Sequence, residues 1–477
     1  MKTHLFTLNA SHAHSALAIR SLRGSLMRAG FEVTMTEATL KDRTHSVLSR
    51  LYAADAALYG FSCYIWNIGQ MLAIAESLKA LRPDALIVLG GPEISYDTER
   101  FTALPFVDCV LTGEGEESIV TAARLVASGE ALPPVIEGKP FAKFTQKGIC
   151  YGEDEQISSL VYYESSRGCP FSCAFCLSSC EEGVRAKSAE DTLADLAAFE
   201  RFAQPLTVKL VDRTFNFDRE RAKKIWQGLL SPDYTKCYHF EIAAHLLDEQ
   251  SFEILSRFPK GKIRLEIGLQ STNEQTLAAI ARHTDAKTVL NAAKRLTEMG
   301  NLHVHLDLIA GLPHEDLASF ARSFDEAYFC CDVLQLGFLK LLHGTALRRD
   351  AAAHGTVAEA KAPYTVLQTR WLSFTEIERL HAVSDLCERL HDSGRFAHTL
   401  WLLLPEFFTP FAFFDDFSRF LAKNTGRELQ QISQRDLFSN LSAFAKQKLP
   451  KEAHPALTQA LRADFASAEV RKPPRDL

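Results

Sequence analysis

The sequence contains no run of about 18 apolar residues, the length that a membrane-spanning helix usually needs. Its first residues, MKTHLFTLNASHAH, have neither the apolar stretch nor the small-residue cleavage site of a secretory signal. Neither sign of charge dominates, because the sequence has 53 Lys and Arg residues and 59 Asp and Glu residues, which give a net charge of −6. No basic run stands out. We therefore expect a cytoplasmic protein that binds neither membranes nor nucleic acids.

Disulfide bonds are not expected, although the sequence has 11 cysteines. Their number is odd, and a chain of 477 residues can bury a large apolar core without covalent cross-links. Hydrophobic residues make up 47% and charged residues 23%, a balance that excludes a wholly disordered, collagen-like or coiled-coil protein and allows two or three globular domains. Four of the cysteines lie between Cys169 and Cys180, which makes this segment the most informative part of the sequence.

Residues 1–135 alternate between apolar strands and helical stretches, a pattern typical of a parallel sheet covered by helices on both faces. We predict an α/β domain of the doubly wound, flavodoxin-like type. Residues 136–160 contain few long apolar runs and are interpreted as a linker. The predicted strands are 4–9, 31–38, 56–64, 85–91 and 107–113, and the predicted helices include 15–29, 68–81 and 116–127.

From residue 161 to 360 the alternation resumes, with six predicted strands separated by helices. Eight such units close a standard barrel, so six predict an open, partial (β/α)6 barrel of the TIM type. Residues 361–477 are predicted to form a mostly helical domain, in which Ser373 and Glu376 make a capping box and the seven phenylalanines of Phe407–Phe420 fill a core. A lid over an apolar substrate is the alternative role for these phenylalanines. The predicted barrel strands are 161–166, 206–212, 238–243, 263–269, 302–310 and 333–341.

Cys169, Cys173 and Cys176 follow the first predicted barrel strand with the spacing C-x3-C-x2-C. Clustered thiolates in a reducing compartment bind soft metals. A structural zinc site needs four ligands, whereas three thiolates on one loop suit an iron–sulfur cubane with one iron left open. The loop lies where parallel barrels carry their chemistry, and Phe175 is positioned to pack on the cluster or on an adenine ring.

The segment ESSRGCPFSCAFC (164–176) resembles the signature of radical S-adenosylmethionine enzymes. The resemblance implies that Cys169, Cys173 and Cys176 hold a [4Fe–4S] cluster whose open iron chelates the amine and carboxylate of S-adenosylmethionine. Cys180 lies outside this pattern and is interpreted as a bystander. A structural zinc site that includes Cys180 is the alternative.

Further segments resemble the S-adenosylmethionine pocket of the same family, namely VDRTFN (211–216), GLQS (268–271) and LIAGLP (308–313). The resemblance implies that Glu266 and Gln270 bond the ribose hydroxyls or the methionine group. It also implies that Asp212 lies at the same pocket and that Gly311 lets the backbone approach adenine. Hydrogen bonding within the loops is the alternative role for each of these residues.

Glycine turns follow the fourth and fifth predicted strands of residues 1–135, but neither matches G-x-G-x-x-G or a P-loop. With FSCYIWN (61–67), they resemble the cobalamin-binding domain that precedes the barrel in one branch of radical S-adenosylmethionine enzymes.

The motif D-x-H-x-x-G, which supplies a lower cobalt ligand in other cobalamin domains, is absent. His12 and His14 lie in the corresponding loop, either near the lower face of the corrin or as ordinary loop residues. A cobalamin-like domain that no longer binds is the alternative. The resemblance implies a cobalamin pocket lined by Ser62, Gly90, Gly91, Gly113, Glu114 and Gly115.

Together these motifs resemble a bacterial subgroup of cobalamin-dependent radical S-adenosylmethionine enzymes with a C-terminal domain of unassigned function, here about 365–477. The resemblance implies reductive cleavage of S-adenosylmethionine to a 5′-deoxyadenosyl radical and methylation of an unactivated carbon of an unknown small-molecule or peptide substrate. It also implies an external one-electron reductant such as flavodoxin or ferredoxin. The alternatives are a cobalamin-dependent cyclisation or rearrangement, an iron–sulfur electron carrier or sensor, and an RNA-modifying relative. No residue is assigned a catalytic role beyond cofactor binding.

Overall fold

The computed structural model forms two compact units, which are described separately. The first comprises Met1–Glu241, Lys340–Arg349 and Glu359–Thr365, and the second comprises Ile242–Leu339, Asp350–Ala358 and the chain from Val366. Within the described ranges, no helix combines the length and the apolar character needed to cross a membrane. The structure describes residues 1–142, 144, 148–152, 155, 157–180, 183–203 and 206–467.

A six-stranded parallel sheet begins the first unit, with its strands in the order β2-β1-β3-β4-β5-β6. Its strands are β1 (Lys2–Asn9), β2 (Glu32–Thr39), β3 (Leu58–Ser62), β4 (Leu86–Gly90), β5 (Cys109–Thr112) and β6 (Val135–Glu137). The helices between them are α1 (Leu17–Arg28), α2 (Thr44–Ala54), α3 (Ile68–Leu81), α4 (Pro92–Ser95), α5 (Thr98–Thr102) and α6 (Gly115–Ser128).

Alternate residues of the central strands enter two different apolar clusters. Phe6 and Tyr59 belong to one cluster, whereas their neighbours Leu5 and Leu58 belong to the other. Because successive side chains of a strand point to opposite faces, both faces of this sheet are covered. The predicted doubly wound domain is therefore confirmed. The sheet also has a strand, β6, that the sequence did not predict, because three residues are too few to produce a recognisable apolar run.

The rest of the first unit carries strands of the predicted barrel and a small hairpin. Strands β7, β10 and β11 are parallel, with β10 pairing with both of the others, and β8 and β9 form an antiparallel hairpin. Their bounds are β7 (Leu160–Tyr163), β8 (Ser166–Gly168), β9 (Val184–Ala186), β10 (Thr207–Leu210) and β11 (Cys237–Ile242), and the helices are α7 (Ala189–Ala197) and α8 (Arg219–Leu229).

The second unit contains three more parallel strands, of which the middle one pairs with both others. These are β12 (Ile263–Gln270), β13 (His303–Ala310) and β14 (Val333–Phe338), accompanied by α9 (Glu249–Ser256), α10 (Glu274–Ala279), α11 (Ala286–Glu298) and α12 (Leu317–Tyr328). All six predicted barrel strands are thus present, with helices between them. Three short elements follow along the chain: α13 (Ala346–Arg349) belongs to the first unit, and β15 (Val357–Ala358) and β16 (Val366–Gln368) belong to the second.

The C-terminal segment is helical, as predicted. The first of its helices begins at the predicted capping box, in which Ser373 and Glu376 bond each other's backbone N–H groups. Phe413, Phe414 and Phe417 are fully buried, which confirms a core role, but Phe408 is 99% exposed. The helices are α14 (Phe374–Cys387), α15 (Ala397–Leu403), α16 (Pro410–Thr425), α17 (Gln434–Lys448) and α18 (His454–Ser467), with a π-helical turn at Glu388–Asp392.

Candidate active site

The predicted cluster cysteines lie on the loop that joins the two strands of the β8–β9 hairpin. Cys169 directly follows β8. The backbone N–H of Cys176 donates to the carbonyl of Cys173 at 3.0 Å, and the N–H of Ser179 donates to the carbonyl of Cys176 at 3.2 Å. These turns fold the loop back on itself, so the three thiols are held on one short segment whose ends are fixed by strand pairing.

The four clustered thiols differ in their surroundings. Cys173 is buried, Cys169 and Cys176 are half-buried, and Cys180 is exposed with its sulfur 3.4 Å from the carbonyl oxygen of Gly344. No three of these described sulfurs lie within 4.8 Å of one another. Thiolates that share one zinc ion lie about 4 Å apart, because each Zn–S bond is about 2.3 Å. A four-iron cluster takes each thiolate on a different iron and does not need that spacing, so three thiolates on one loop fit such a cluster.

Thr214 is a neighbour of the cysteine loop that the sequence did not single out. Its hydroxyl oxygen lies 3.5 Å from the sulfur of Cys169, and it sits on the loop after β10. Hydrogen bonds near thiolate ligands tune a cluster's potential. Thr214 belongs to the segment VDRTFN, but its contact with Cys169 depends on a fold that brings two distant strand ends together.

The carboxylate of Asp212 accepts hydrogen bonds from the backbone that precedes the cysteine loop. It accepts from the N–H of Ser165 at 2.7 Å, from the N–H of Ser166 at 3.0 Å and from the Ser165 hydroxyl. The side chain is fully buried, and this burial raises the pKa of Asp212. These bonds correspond to the alternative role of hydrogen bonding within the loops, and the contact of Asp212 with S-adenosylmethionine stays a prediction.

A network of ion pairs surrounds Arg167, two residues before the first cysteine of the loop. Arg167 pairs with Glu114 at 2.8 Å, with Glu116 at 2.5 Å and with Glu164 at 2.9 Å. Arg185 on strand β9 pairs with Glu114 as well. The network therefore joins the glycine turn after β5 to both strands of the hairpin that carries the cysteines.

Burial and charge act in opposite directions on the acids of this network. Burial raises the pKa of Glu164 to about 7. Burial also acts on Glu116, but the hydrogen bond and charge of Arg167 outweigh it and lower the pKa of Glu116. Burial acts to lower the pKa of Arg167, yet Glu164 and Glu116 raise it, so the guanidinium stays charged.

Glu114 was predicted to line a cobalamin pocket, and the structure gives it another role. Its carboxylate is shared by Arg167 and Arg185, and it accepts the N–H of Phe141 at 2.6 Å. Both oxygens are therefore engaged within the protein. Two arginines on the cysteine hairpin cause this arrangement, which no local pattern around Glu114 reveals, and its place in a cobalamin pocket stays a prediction.

The other predicted cobalamin residues lie at the carboxyl ends of three adjacent strands. Ser62 ends β3, Gly90 ends β4, and Gly113 follows β5, while Gly115 begins α6. Gly91 has φ +117°, and a Cβ there would collide with the backbone of Cys63, so only glycine fits. The carboxyl edge of a doubly wound sheet is where ligands bind, so the position of these small residues fits a corrin with a nucleotide tail.

Neither predicted loop histidine is fixed as a cobalt ligand. His12 is exposed. His14 lies 2.7 Å from the hydroxyl of Tyr162 through Nδ1, and the two rings stack with their centroids 6.1 Å apart. His14 thus fixes the loop to β7, as an ordinary loop residue would, and a place near the lower face of the corrin stays a prediction for both histidines.

In the second unit, Gln270 ends strand β12 at a register shift and has φ +73°. Its side-chain amide lies over Gly268, where a Cβ would collide with it. Its Oε1 atom is buried and has no hydrogen-bond partner among the described residues. A buried acceptor without a donor costs free energy, so this atom fits a site completed by a bound hydroxyl or ammonium group. Glu266 is half-buried on the same strand.

Glu315 is a buried acid close to Gln270, and it follows the segment LIAGLP without any sequence pattern that marks it as a site residue. The hydroxyl of Ser271 donates to its Oε1 at 2.5 Å, and that of Ser323 at 3.3 Å. Its Oε2 has no partner in the described part of the chain. Burial raises the pKa of Glu315 to about 7.

The last two predicted contacts remain predictions. Gly311 has φ +90° and lies beside Leu339 and Val366, so its backbone conformation alone favours glycine. Phe175 is half-buried on the cysteine loop.

Three protein-family models match the chain in succession. A B12 binding domain matches residues 3–123, the Radical SAM superfamily matches residues 163–327, and a protein of unknown function, DUF4080, matches residues 352–477. These domains imply cobalamin, a [4Fe–4S] cluster and S-adenosylmethionine.

Several curated proteins are similar in sequence. A 2-(S-pantetheinyl)-carbapenam-3-carboxylate methyltransferase from Streptantibioticus cattleyicolor is 25% identical over 56% of this chain and 44% of its own length. An uncharacterized methyltransferase, PH0819, from Pyrococcus horikoshii is 21% identical over 74% of this chain and 80% of its own. A hopanoid C-3 methylase from Methylococcus capsulatus is 22% identical over 62% and 60%. The chain thus spans less than half the length of the first of these relatives.

Solved structures share the fold. The radical S-adenosylmethionine methyltransferase TsrM from Kitasatospora setae, with cobalamin and a [4Fe–4S] cluster bound, has a TM-score of 0.66 at 14% identity and covers 87% of this chain and 97% of its own. The cobalamin-dependent S-adenosylmethionine radical enzyme OxsB, with aqua-cobalamin and S-adenosylmethionine bound, has a TM-score of 0.64 at 14% identity, covering 100% and 82%. At this identity the likeness establishes the fold only.

Proposed function

We propose that the chain is a cobalamin-dependent radical S-adenosylmethionine methyltransferase. The premise is that it combines a B12-binding domain, a radical SAM domain and a C-terminal DUF4080 domain. The observation that carries the proposal is the loop of Cys169, Cys173 and Cys176 within the radical SAM domain. Methylation of an unactivated carbon is favoured over cyclisation or rearrangement because several relatives are named methyltransferases.

The three thiols are the residues that would hold the [4Fe–4S] cluster. When bound, the cofactors supply reductive cleavage of S-adenosylmethionine, hydrogen abstraction from a C–H bond and a transferable methyl group. Thr214 offers a hydroxyl beside Cys169. Asp212 and Arg167 fix the backbone that enters the loop, through the hydrogen bonds to Ser165 and the pairs with three glutamates.

Gln270 is the residue we assign to the binding of S-adenosylmethionine, because its buried Oε1 needs a donor that the ribose hydroxyls or the methionine ammonium would provide. Glu266, Gly311 and Phe175 are proposed as further contacts of that cofactor. Ser62 and the turns at Gly90–Gly91 and Gly113–Gly115 are proposed to receive the cobalamin tail at the carboxyl edge of the N-terminal sheet.

An external one-electron donor such as flavodoxin or ferredoxin is proposed as a partner, and the cytoplasm as the compartment. The substrate is proposed to be a small molecule or peptide. An iron–sulfur electron carrier is the candidate from a different class. It is disfavoured because such a module needs neither a six-strand barrel nor a B12-binding domain.

The test is cleavage of S-adenosylmethionine by anaerobically reconstituted protein with dithionite. We expect release of 5′-deoxyadenosine, measured by liquid chromatography, and its loss in Cys176→Ala together with the iron. Cys180→Ala is the matched control, because Cys180 is exposed and outside the motif, and it should retain both iron and cleavage. Absence of 5′-deoxyadenosine from iron-loaded wild-type protein would favour the electron carrier, and retained cleavage in Cys176→Ala would refute the ligand assignment.

A further inference from the structure

A group of side chains of the kinds that bind metal ions lies in the C-terminal helical segment. The proposed function uses none of these residues. Cys387, His391 and Asp392 each offer one ligand atom, and the three atoms lie within 4.8 Å of one another. Cys387 is fully buried, while the side chains of His391 and Asp392 are 16% and 11% exposed. A small ion could therefore reach the group from one side.

The backbone brings these three residues onto one face. Helix α14 ends at Cys387, and the following turn is π-helical, with the N–H of Ser393 bonded to the carbonyl of Glu388. This hydrogen bond spans five residues instead of four, which widens the turn so that residues four and five positions after Cys387 both face it. Single π-turns inside helices are rare and frequently occur at functional sites.

Strand β14 holds two of the three groups in place through a single residue. The N–H of Leu334 donates to one oxygen of Asp392 at 2.9 Å, and the thiol of Cys387 approaches the carbonyl of Leu334 at 3.8 Å. The same Asp392 oxygen lies 2.8 Å from Nδ1 of His391. The second carboxylate oxygen of Asp392 makes none of these bonds.

The surroundings contain a polar group that the fold leaves unsatisfied. Tyr328 is 3% exposed, its ring centroid lies 4.4 Å from that of His391, and its hydroxyl has no hydrogen-bond partner in the described part of the chain. It interacts electrostatically with Cys387, Asp392 and Cys331. A buried hydroxyl without a partner costs free energy, and an ion with a bound water would supply that partner.

We propose that Cys387, His391 and Asp392 bind one zinc-class divalent ion. One thiolate, one imidazole and one carboxylate are all zinc ligands, and a water beside Tyr328 would complete four-coordination. Magnesium and calcium are disfavoured because they select oxygen ligands. Burial raises the pKa of the Cys387 thiol, so the ion must displace the thiol proton on binding.

The first test measures the zinc content of the full-length, cluster-loaded protein after equilibration with Zn²⁺ and desalting. We expect about one zinc per chain in the wild type and near zero in His391→Gln. His398→Gln is the matched control, since His398 also lies 2.8 Å from a carboxylate, that of Asp464, without a cysteine in the group. Unchanged iron content and an unchanged melting temperature without added zinc show that His391→Gln folds normally.

The second test identifies the ligands by X-ray absorption at the zinc edge, where iron does not interfere. We expect one sulfur at about 2.3 Å and two or three nitrogen or oxygen atoms at about 2.0–2.2 Å. Three sulfurs would place the zinc on Cys169, Cys173 and Cys176 and would overturn the proposal. A wild-type protein that retains no zinc, or a His391→Gln variant that retains as much as the wild type, would overturn it as well.

Discussion

Glu315 has a fully buried carboxyl group that shares one oxygen with two serine hydroxyls and leaves the other without a partner. Water would solvate the charged form far better than this site does, and burial accordingly raises the pKa of Glu315 from 4.5 to about 7. The folded protein therefore holds this proton over a pH range in which the unfolded chain has released it. At the scale of one residue, the region near Gln270 favours a neutral, hydrogen-bonding acid over a carboxylate.

This proton gives a prediction for Glu315→Gln. Between about pH 4.5 and 7 the native wild type binds more protons than the unfolded chain, so its free energy of unfolding falls as the pH rises, by about 3 kcal/mol at most. Glutamine cannot ionise and lacks this dependence. We expect the variant to melt at the wild-type temperature near pH 5 and several degrees higher at pH 8, as measured by differential scanning fluorimetry.

Glu298→Gln serves as the control for this experiment. Glu298 lies at the end of α11 with 66% of its side chain exposed, so its replacement should leave the pH dependence of the melting temperature unchanged. If Glu315→Gln also keeps the wild-type pH dependence, the buried carboxyl does not retain its proton to pH 7.

At the scale of elements, the β8–β9 hairpin determines where the cysteine loop begins and ends. Gly168 ends β8 with φ +89°, and a Cβ at this position would collide with the carbonyl oxygen of Gly183. Gly183 has φ +73° but no atom within 4 Å of its own would-be Cβ. The two glycines therefore share a conformational requirement, and only Gly168 has in addition a steric one.

Alanine substitutions at Gly168 and Gly183 separate the steric requirement from the conformational one. Gly183→Ala should cost about 1–2 kcal/mol from the left-handed backbone conformation alone. Gly168→Ala should cost more and should also lower the iron bound per chain after anaerobic reconstitution, because the hairpin must shift next to Cys169. Equal iron content and equal melting temperatures in the two variants would mean that the close approach of β8 and β9 does not position the cysteine loop.

The elements of this protein could be predicted from sequence in proportion to their length. Helix α3 was predicted with the bounds it has, because a long apolar periodicity ends at Pro83, whereas three-residue strands such as β6, β8 and β9 leave no periodic signal. The same limit applies to the site. The C-x3-C-x2-C spacing is local and was visible, but the pair between Arg167 and Glu114 joins residues 53 positions apart and depends on the fold.

At the scale of the whole molecule, the apolar core of the N-terminal domain does not include the cysteine loop. Its sheet separates two apolar clusters whose fully buried members, such as Phe6, Tyr59 and Leu58, come from its own strands and helices. Ser62, Gly90 and Gly113 of the proposed cobalamin edge all lie at the carboxyl ends of strands of this sheet. The Arg167 network links this domain to the cysteine hairpin and contains no thiol.

We therefore predict that the two cofactors load independently. Protein produced in cobalamin-fed cells should carry about one corrin per chain, and Cys176→Ala should retain it while its iron falls from about four per chain to near zero. Absorption of the corrin and iron analysis after gel filtration measure both quantities in one sample. Cys176 itself is half-buried on its loop and lies outside both apolar clusters of the N-terminal sheet, so its replacement should leave that sheet intact. Joint loss of corrin and iron in a variant with a wild-type melting temperature would instead make corrin binding dependent on the cluster, and absence of corrin from the wild type would exclude methyl transfer from cobalamin.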